Sequence, residues 1–260
     1  MSTRMMRLRS VVAPVCVIAI AYEPSLAQEL SYGFSTEFVA GEFGLGRSAD
    51  LFIAAVDTTW SIDKWELGVF VPLVRASGPV PFEEQHRRLS LNQTTATFVD
   101  ETQSGLGDVS LSASRYFVYT RRKVLLQAST IVKLPTADPD KLLGTGEPDF
   151  GLRADVVRGV GALSVSLGGG YVFTGRTSQF DLQNRAEARA GAFVQASSRY
   201  GVGGAIDWRQ SIVRGAPDPF EATGYVSANL TSRARTTLFA TTGFSDGSPD
   251  YGVGLRIVLE

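Results

Sequence analysis

Apolar and polar residues alternate with a period of two through almost the whole chain beyond Gln28. Successive side chains of a β-strand point to opposite faces of the sheet, so this period predicts strands with one apolar and one polar face. The segment "WELGVFVPLV", for example, places Trp65 and Leu67 on one face and Glu66 and Gly68 on the other. No comparable stretch has the period of an amphipathic helix. The chain is therefore predicted to be all-β.

The predicted strands are long, and their two faces differ in kind. We count about 12 segments of roughly 9–13 residues, near the length at which a tilted strand crosses a bilayer. Strands of soluble proteins average only about 5–6 residues. The polar faces carry Ser, Thr, Gly and charged residues, as the inside of a membrane barrel does, and the apolar faces suit contact with lipid. A secreted β-sandwich, which would bury its apolar faces, is the less favoured alternative.

Short and long connections alternate along the chain. The short links are Asp63-Lys64, 120–123, 158–161, 197–201 and 232–235, and the long ones are about 41–50, 76–104, 135–148, 174–185, 213–219 and 245–249. Aromatic residues that suit an interfacial girdle flank two short links: Trp60, Trp65, Phe117 and Tyr119. This organisation predicts an antiparallel up-and-down transmembrane β-barrel of about 12 strands, with short periplasmic turns and longer extracellular loops.

The start of the chain has the pattern of a secretory signal peptide. Its basic, apolar and small-x-small parts are Arg4, Arg7 and Arg9, then Val11 to Ala21, then "SLA" at 25–27. The apolar run is far shorter than the roughly 20 residues of a transmembrane helix. We interpret residues 1–27 as a signal peptide and residues 28–260 as the barrel domain. The single cysteine, Cys16, falls within the predicted signal, so no disulfide is expected in the mature domain.

Composition argues against several other classes of function. A formal net charge of −1 provides no basic face for nucleic acid. One histidine and no mature cysteine disfavour a transition-metal site, and no cofactor is implied. His86, with Ser90 and Glu83 or Glu84 nearby, leaves an outer-membrane lipid hydrolase as an alternative. Because His86 lies in the longest predicted loop, where no strand fixes catalytic geometry, we do not expect an enzyme.

The segment "DPDKLLGTGE" superficially suggests a ligand-binding loop. It lacks the ligand spacing of an EF-hand and the Gly-Lys-Ser/Thr of a phosphate-binding loop. Prolines 135, 139 and 148 instead punctuate a surface turn between two strands. A hairpin loop is therefore predicted, with weak calcium binding by Asp138, Asp140 and Glu147 as the less favoured alternative.

Nine charged residues fall on the polar faces of the predicted strands and are expected to point into the lumen. They are Glu66, Lys133, Arg153, Asp155, Glu187, Arg189, Asp207, Arg209 and Arg256. If 197–201 is a tight turn, Arg189 lies roughly opposite Asp207 and Arg209 on adjoining strands. Charges inside membrane proteins are costly and tend to mark pathways. Two interpretations stay open: a salt-bridge network that plugs a narrow barrel, and a constriction whose transverse field orients a permeant.

Two stretches, "GLGDVSLSASRYF" and "IVKLPTAD…LGTGEPDFGLRAD", resemble the outer-membrane protein family named for the meta-pathway of phenol degradation. The matching residues are Gly105, Gly107, Asp108, Lys133, Pro135, Thr136, Gly144, Thr145, Gly146 and Asp149. The last strand, with Gly254, Ile257 and Leu259, is similar to the assembly signal of outer-membrane barrels, although it ends in "VLE" instead of an aromatic residue. The family resemblance implies an outer-membrane β-barrel presumed to take up aromatic or other hydrophobic compounds, and it brings no catalytic residues.

Together these patterns predict a passive channel of the Gram-negative outer membrane for small molecules, with aromatic or hydrophobic compounds as candidate permeants. The expected partners are the lipid bilayer and lipopolysaccharide of that membrane, the barrel-assembly machinery and the permeant. The alternatives are the lipid hydrolase and a structural or adhesive barrel with a plugged lumen.

Overall fold

The computed structural model describes residues 29–43, 48–81, 98–141, 143–177 and 181–260, which form thirteen strands in one antiparallel sheet. The strands are β1 (Glu29–Gly41), β2 (Ala49–Ile62), β3 (Trp65–Pro81), β4 (Phe98–Leu106), β5 (Ser110–Tyr119), β6 (Val124–Lys133), β7 (Asp149–Val160), β8 (Leu163–Phe173), β9 (Arg185–Gln195), β10 (Tyr200–Arg209), β11 (Phe220–Asn229), β12 (Ala234–Gly243) and β13 (Tyr251–Leu259). Short 3-10 turns lie at Thr120–Arg122 and Pro139–Lys141. Within the described ranges, no helix has the length and apolar character needed to cross a membrane.

The sheet closes on itself, because β1 pairs with β2 on one side and with β13 on the other. Strands β4 and β5 both pair with β3, β4 with residues 73–81 and β5 with residues 65–70. These two strands therefore share one position, and the barrel has twelve positions around its circumference. The predicted fold, an antiparallel barrel of about 12 strands, is confirmed. The predicted signal peptide and His86 lie outside the described residues.

The long link predicted at 76–104 differs from the structure. β3 runs on to Pro81 and β4 begins at Phe98, so much of this segment is a paired extension beyond the barrel wall. Gly and Pro occur at 78, 79 and 81, beyond the last residue of β3 that pairs with β2, and a strand at a sheet edge tolerates them. Between β4 and β5, residues 107–109 lie opposite only residues 71–72, and the Gly107 N–H donates to the Pro72 carbonyl at 2.8 Å. This geometry is a β-bulge, which separates two strands of one continuous stave.

The two rims of the barrel differ as the link lengths predicted. At the short-turn rim, residues 63–64, 120–123, 161–162, 196–199 and 230–233 connect the strands. Three of these turns contain a residue in the left-handed region, Asp63 (φ 51°), Lys123 (φ 51°) and Gly161 (φ 64°), which allows an abrupt reversal of the chain. The longer connections lie at the opposite, long-loop rim.

The outer face of the barrel is apolar and carries aromatic side chains near both rims. Trp60, Trp65, Phe117 and Tyr119 lie near the short-turn rim and are 42–49% exposed. A second set of outward aromatics lies near the long-loop rim: Phe52, Phe150, Tyr171, Phe173, Trp208, Phe220 and Tyr251. An exposed apolar surface of this extent is rare on soluble monomers and is typical of a surface in contact with lipid.

Three aromatic rings cover glycines on the inner wall. Phe193 and Tyr225 stack with centroids 6.1 Å apart and planes 12° apart, and Phe239 packs against them. A Cβ atom on any of the glycines beneath the rings would overlap an aromatic ring; these are Gly201, Gly203 and Gly254. The wall can hold these rings flat only because the residues beneath them have no side chain.

We expect Gly254→Ala to lower the free energy of unfolding by about 1–3 kcal/mol, the usual range for overpacking. The added methyl group would overlap the Phe239 ring. Denaturant unfolding of the lipid-refolded barrel measures the effect. Gly224→Ala is the matched control, since a Cβ there meets no atom within 4 Å. Equal stability of the two variants would contradict the prediction, and Phe239→Ala should relieve the cost in the Gly254→Ala background.

Candidate functional site

All nine charged residues predicted to point into the lumen lie on the inner face of the sheet. Six of them form a continuous group on β7, β9 and β10: Arg153, Asp155, Glu187, Arg189, Asp207 and Arg209. The other three lie elsewhere on the inner wall, Glu66 near the short-turn rim, Lys133 near the long-loop rim and Arg256 on β13. That these side chains line a permeation path stays a prediction.

Glu187 binds two arginines at once. Arg153 Nη2 lies 2.6 Å from Glu187 Oε2, and Arg185 Nη2 lies 2.8 Å from Glu187 Oε1. Arg185 is not among the predicted lumen residues, because the alternation predicts a strand from Glu187, whereas β9 begins at Arg185. The signal was present, since Arg185 lies two residues earlier and therefore has the same parity.

Arg189 forms a bidentate pair with Asp155, with Nε to Oδ1 and Nη2 to Oδ2 both at 2.7 Å. The pair reaches from β9 to β7 across Gly168 of β8, where a Cβ would overlap the carboxylate. Gly170 occupies the equivalent place beneath the contact of Arg153 with Glu187. The glycine run of β8 thus leaves room for ion pairs that span two strands.

The register of β9 and β10 confirms that Arg189 lies opposite Asp207. Arg189 nevertheless binds Asp155, and Arg209 binds Glu221 of β11. Glu221 is not among the predicted lumen residues, although the polar residues of "FEATGYVS" fall on one face of the strand. We refer to Arg153, Arg185, Arg189 and Arg209, with Asp155, Glu187 and Glu221, as the arginine ladder.

The arginines of the ladder are more accessible than their acidic partners. The four arginine side chains are 21–30% exposed, whereas those of Asp155, Glu187 and Glu221 are 4–10% exposed. In each pair the acid is the more deeply covered member and the arginine is the more accessible one. A solute entering the barrel would therefore meet cationic hydrogen-bond donors first, although the charges of the ladder nearly cancel.

A separate ion pair lies where the last strand of the barrel meets the first two, a place that we call the seam. Arg256 Nη2 lies 2.7 Å from Asp57 Oδ2, and their side chains are only 4% and 6% exposed. The pair connects β13 with β2 across β1, where a Cβ on Gly33 would overlap the Asp57 carboxylate. Arg256 was predicted to face the lumen, but its partner Asp57 was not identified.

Glu66 lies apart from the ladder and from the seam. It is buried near the short-turn rim, and the Tyr116 hydroxyl donates to its Oε2 at 3.3 Å. Inward hydroxyl groups lie beside it: Glu66 pairs in register with Ser114, whose hydroxyl lies 2.9 Å from that of Ser129. This part of the wall is therefore a packed polar layer.

Lys133 holds the long-loop rim together. Its Nζ lies 3.1 Å from Asp108 and 2.8 Å from Asp149, and it donates to the Thr145 hydroxyl at 3.1 Å. Asp108 comes from the β-bulge, Asp149 opens β7 and Thr145 belongs to the loop between β6 and β7. One ammonium group thus ties three segments together, which we call the Lys133 clasp.

Most motif residues that carry the family resemblance meet in or beside the clasp. The Thr136 hydroxyl donates to the Gly107 carbonyl and accepts from the Val109 N–H, both at 2.9 Å. A Cβ on Gly144 would lie 2.7 Å from the Ala137 Cβ and 2.8 Å from the Asp108 carboxylate. The motif therefore fastens the 134–148 loop to the rim.

The loop's acidic residues, the less favoured calcium ligands of the sequence reading, also make local contacts. Asp138 Oδ1 accepts from the Asp140 N–H at 3.0 Å, which caps a turn. Within the described ranges, no group of three or more candidate metal ligands is found.

We expect Lys133→Met to release the 134–148 loop. Hydrogen bonds to charged groups contribute about 1.5–3 kcal/mol each, so local opening should rise by roughly tenfold or more. Trypsin cleavage after Lys141, an exposed loop residue, reports that opening. Lys123→Met, at the short-turn rim, is the control that should leave cleavage unchanged. If both variants are cut at the wild-type rate, the clasp does not hold the loop.

The fold is similar to those of solved outer-membrane barrels. One is an outer membrane channel from Pseudomonas putida F1, with a TM-score of 0.66 and 15% identity, covering 91% of this chain and 96% of the channel. Another is the NanC porin, with a TM-score of 0.55 and 7% identity, covering 89% of this chain and all (100%) of the porin. A third is the β domain of the Bordetella autotransporter BrkA, with a TM-score of 0.53 and 12% identity, covering 89% and 98%.

At these identities the likeness shows the fold, which channels and an autotransporter domain share. No protein-family model matches the chain. No curated protein matches it in sequence either. Membership of the phenol meta-pathway family therefore stays a prediction that rests on the motifs.

Proposed function

We propose that this protein is a passive channel for small molecules in the Gram-negative outer membrane. The observation that carries the proposal is the arginine ladder, whose arginine side chains are 21–30% exposed on the inner face of a closed barrel. Charged groups in a membrane protein are costly unless they face water or a partner. These arginines have acidic partners and still keep accessible surface, which favours a water-filled passage.

Comparison of the ladder with the seam pair weighs against a plugged lumen. The seam pair shows what a filled region looks like, since Asp57 and Arg256 are nearly inaccessible. If the ladder served only to fill the barrel, its arginines would be covered to a similar degree. The ladder therefore supports a constriction that a permeant passes, with selectivity set by width and charge.

The lengths of the connections at the two rims indicate how the barrel is oriented in the membrane. Short turns face the periplasm and longer connections face the cell exterior in outer-membrane barrels. We propose this arrangement here, with lipopolysaccharide around the long-loop half and assembly by the barrel-assembly machinery. Export through a cleaved signal peptide, residues 1–27, belongs to the same proposal.

The inner wall gives limited support to an apolar permeant. Phe193 and Tyr225 are 7% and 4% exposed, so their rings offer little surface to a passing molecule. A solute would instead encounter the guanidinium groups, which donate hydrogen bonds and stack on planar groups. We propose small molecules with polar acceptor groups as permeants, and aromatic compounds remain the expectation from the family resemblance.

Single-channel recording in planar bilayers tests the proposal. The refolded protein should give discrete conductance steps, whereas a plugged structural barrel gives none. Heat-dependent mobility in gels identifies folded protein, so absent steps from folded protein would overturn the channel proposal. A lipid-hydrolysis assay with His86→Ala addresses the enzyme alternative: activity that His86→Ala abolishes would establish the hydrolase.

A further inference from the structure

The outer face carries very few charges. Among the strand side chains that the structure describes, four charged ones point outward: Asp50, Arg75, Arg115 and Arg158. Asp50 and Arg75 lie toward the long-loop rim. Arg115 and Arg158 lie in the short-turn half. Four further residues of β5 follow Arg115, which on its other side pairs with Trp65, the first residue of β3. A cation on a lipid-facing surface is costly without a partner.

Arg115 is held among aromatic rings and directed toward the rim. Its guanidinium carbon lies 4.9 Å from the Trp65 ring centroid and 6.0 Å from that of Phe117. Trp65 is its cross-strand neighbour on β3, and Phe117 is the next outward residue toward the short turn. The side chain therefore bends toward the rim, as expected for a cation that reaches from the apolar layer to the headgroup level.

The adjoining rim is strongly basic. Arg121, Arg122 and Lys123 form the exposed turn between β5 and β6. Exposed Arg158 of β7 pairs in register with Val124, the residue that follows this turn. The opposite edge of the patch is the 63–64 turn, which adds one acid and one base and so no net charge. We call Arg115, Arg121, Arg122, Lys123 and Arg158 the basic patch.

Small residues leave room beside Arg115 on the lipid-facing surface. Arg115 pairs in register with Ala128 of β6, which pairs with Ala154 of β7. Both alanines are exposed, and bulkier outward residues, Leu126 and Leu152, lie to either side. The alanines form a shallow strip that can accept an acyl chain, beside Arg115 and on the hydrocarbon side of Arg158 and the 120–123 turn.

We propose that the basic patch binds the phosphate of an anionic phospholipid in the leaflet at the short-turn rim. Arg115 reaches the phosphate from the hydrocarbon side, the turn and Arg158 approach it from the water side, and an acyl chain lies along the alanine strip. Charge complementarity selects the occupant, because basic clusters at membrane level bind anionic headgroups. The inference rests on the proposed membrane location and is independent of whether the barrel conducts.

Arg199 provides a matched site at the same rim. Its guanidinium carbon lies 5.5 Å from the Tyr200 ring centroid, so it shares the cation–π contact of Arg115. It is the single charged residue of its own turn, residues 196–199. Arg199 therefore tests whether an interfacial arginine alone suffices or whether the patch is needed.

Native mass spectrometry of the full barrel in neutral detergent, titrated with phosphatidylglycerol or phosphatidylcholine, tests the proposal. Wild type should retain phosphatidylglycerol in preference to phosphatidylcholine. Each charge removed from the patch should weaken that retention roughly fivefold, so Arg115→Gln with Arg158→Gln should nearly abolish the preference. Arg199→Gln should retain it.

Equal retention of the two lipids by wild type would overturn the proposal, as would an equal loss in the Arg199→Gln control. If the Arg115 variant fails to fold, the exposed triple variant Arg121→Gln, Arg122→Gln, Lys123→Gln carries the same test. Conductance recorded on the same preparations separates the two proposals, since lipid retention without conductance steps contradicts only the channel.

Discussion

Arg256→Met is expected to lower the free energy of unfolding by about 3–5 kcal/mol, because it leaves the buried Asp57 carboxylate without its cation. Asp57 and Arg256 are 6% and 4% exposed, and they join β2 to β13 across the strand at which the barrel closes. Asp57→Leu should have an effect of similar size, since it removes the acid that binds Arg256 Nη2, and Arg256 Nε and Nη1 have no hydrogen-bond partner within the described part of the chain. Denaturant unfolding of the lipid-refolded protein measures both variants.

The double variant separates the net contribution of the ion pair from the cost of leaving one buried charge without its partner. Replacing both partners by apolar side chains removes the desolvation cost together with the attraction, so Asp57→Leu with Arg256→Met should be closer to wild type than either single variant. Arg233→Met, at an exposed turn, is the control for loss of an arginine. If the single variants are as stable as this control, the seam pair does not contribute to closure.

The second large effect is expected on ion selectivity. Arg153→Gln combined with Arg185→Gln removes both cations that bind Glu187 and leaves its charge uncompensated in the lumen. If the barrel conducts as proposed, its current should then shift toward cations, measured as the reversal potential across a salt gradient. Glu187→Gln should shift it toward anions, because two arginines then lack their acid. The opposite signs distinguish an electrostatic effect from a change in pore width.

Salt provides a further control on the same measurement. The shift should be large near 0.1 M salt, where the Debye length is about 10 Å, and weak near 1 M, where it is about 3 Å. Arg199→Gln, at the rim and outside the ladder, should leave selectivity unchanged. The reversal potential could instead be the same in wild type, in the double arginine variant and in Glu187→Gln. That result would mean that ions do not pass the ladder.

Alternation alone predicted much of the candidate site. Arg153, Glu187 and Arg189 were placed on the inner face from the parity of their strands, and the structure agrees. Parity does not identify partners, however. Arg189 lies opposite Asp207, as predicted, but it binds Asp155 two strands away because Gly168 leaves the space between them open. Such a contact depends on the register of three strands, which no single segment encodes.

For the motif around the 134–148 loop, too, the sequence predicted the local structure but not the contacts. Its prolines and glycines correctly indicated a hairpin connection, and the strands on either side, ending at Lys133 and resuming at Asp149, lie as expected. Its role became visible only with the β-bulge in place, since Asp108 comes from a segment about 25 residues earlier in the chain. Lys133 binds acids from both segments, so the motif is a clasp that fixes the loop.

Local sequence patterns account for the long strands of this chain, for the apolar side of each strand and for the positions of the sharp turns. They do so because these properties follow from the two-residue period of a strand and from residues that permit tight turns. Only the folded barrel shows which arginine binds which acid, which glycines accommodate these pairs, and that Arg115 meets a basic rim on the outer surface. Each of these depends on strand register and closure, through which residues far apart in the chain come into contact.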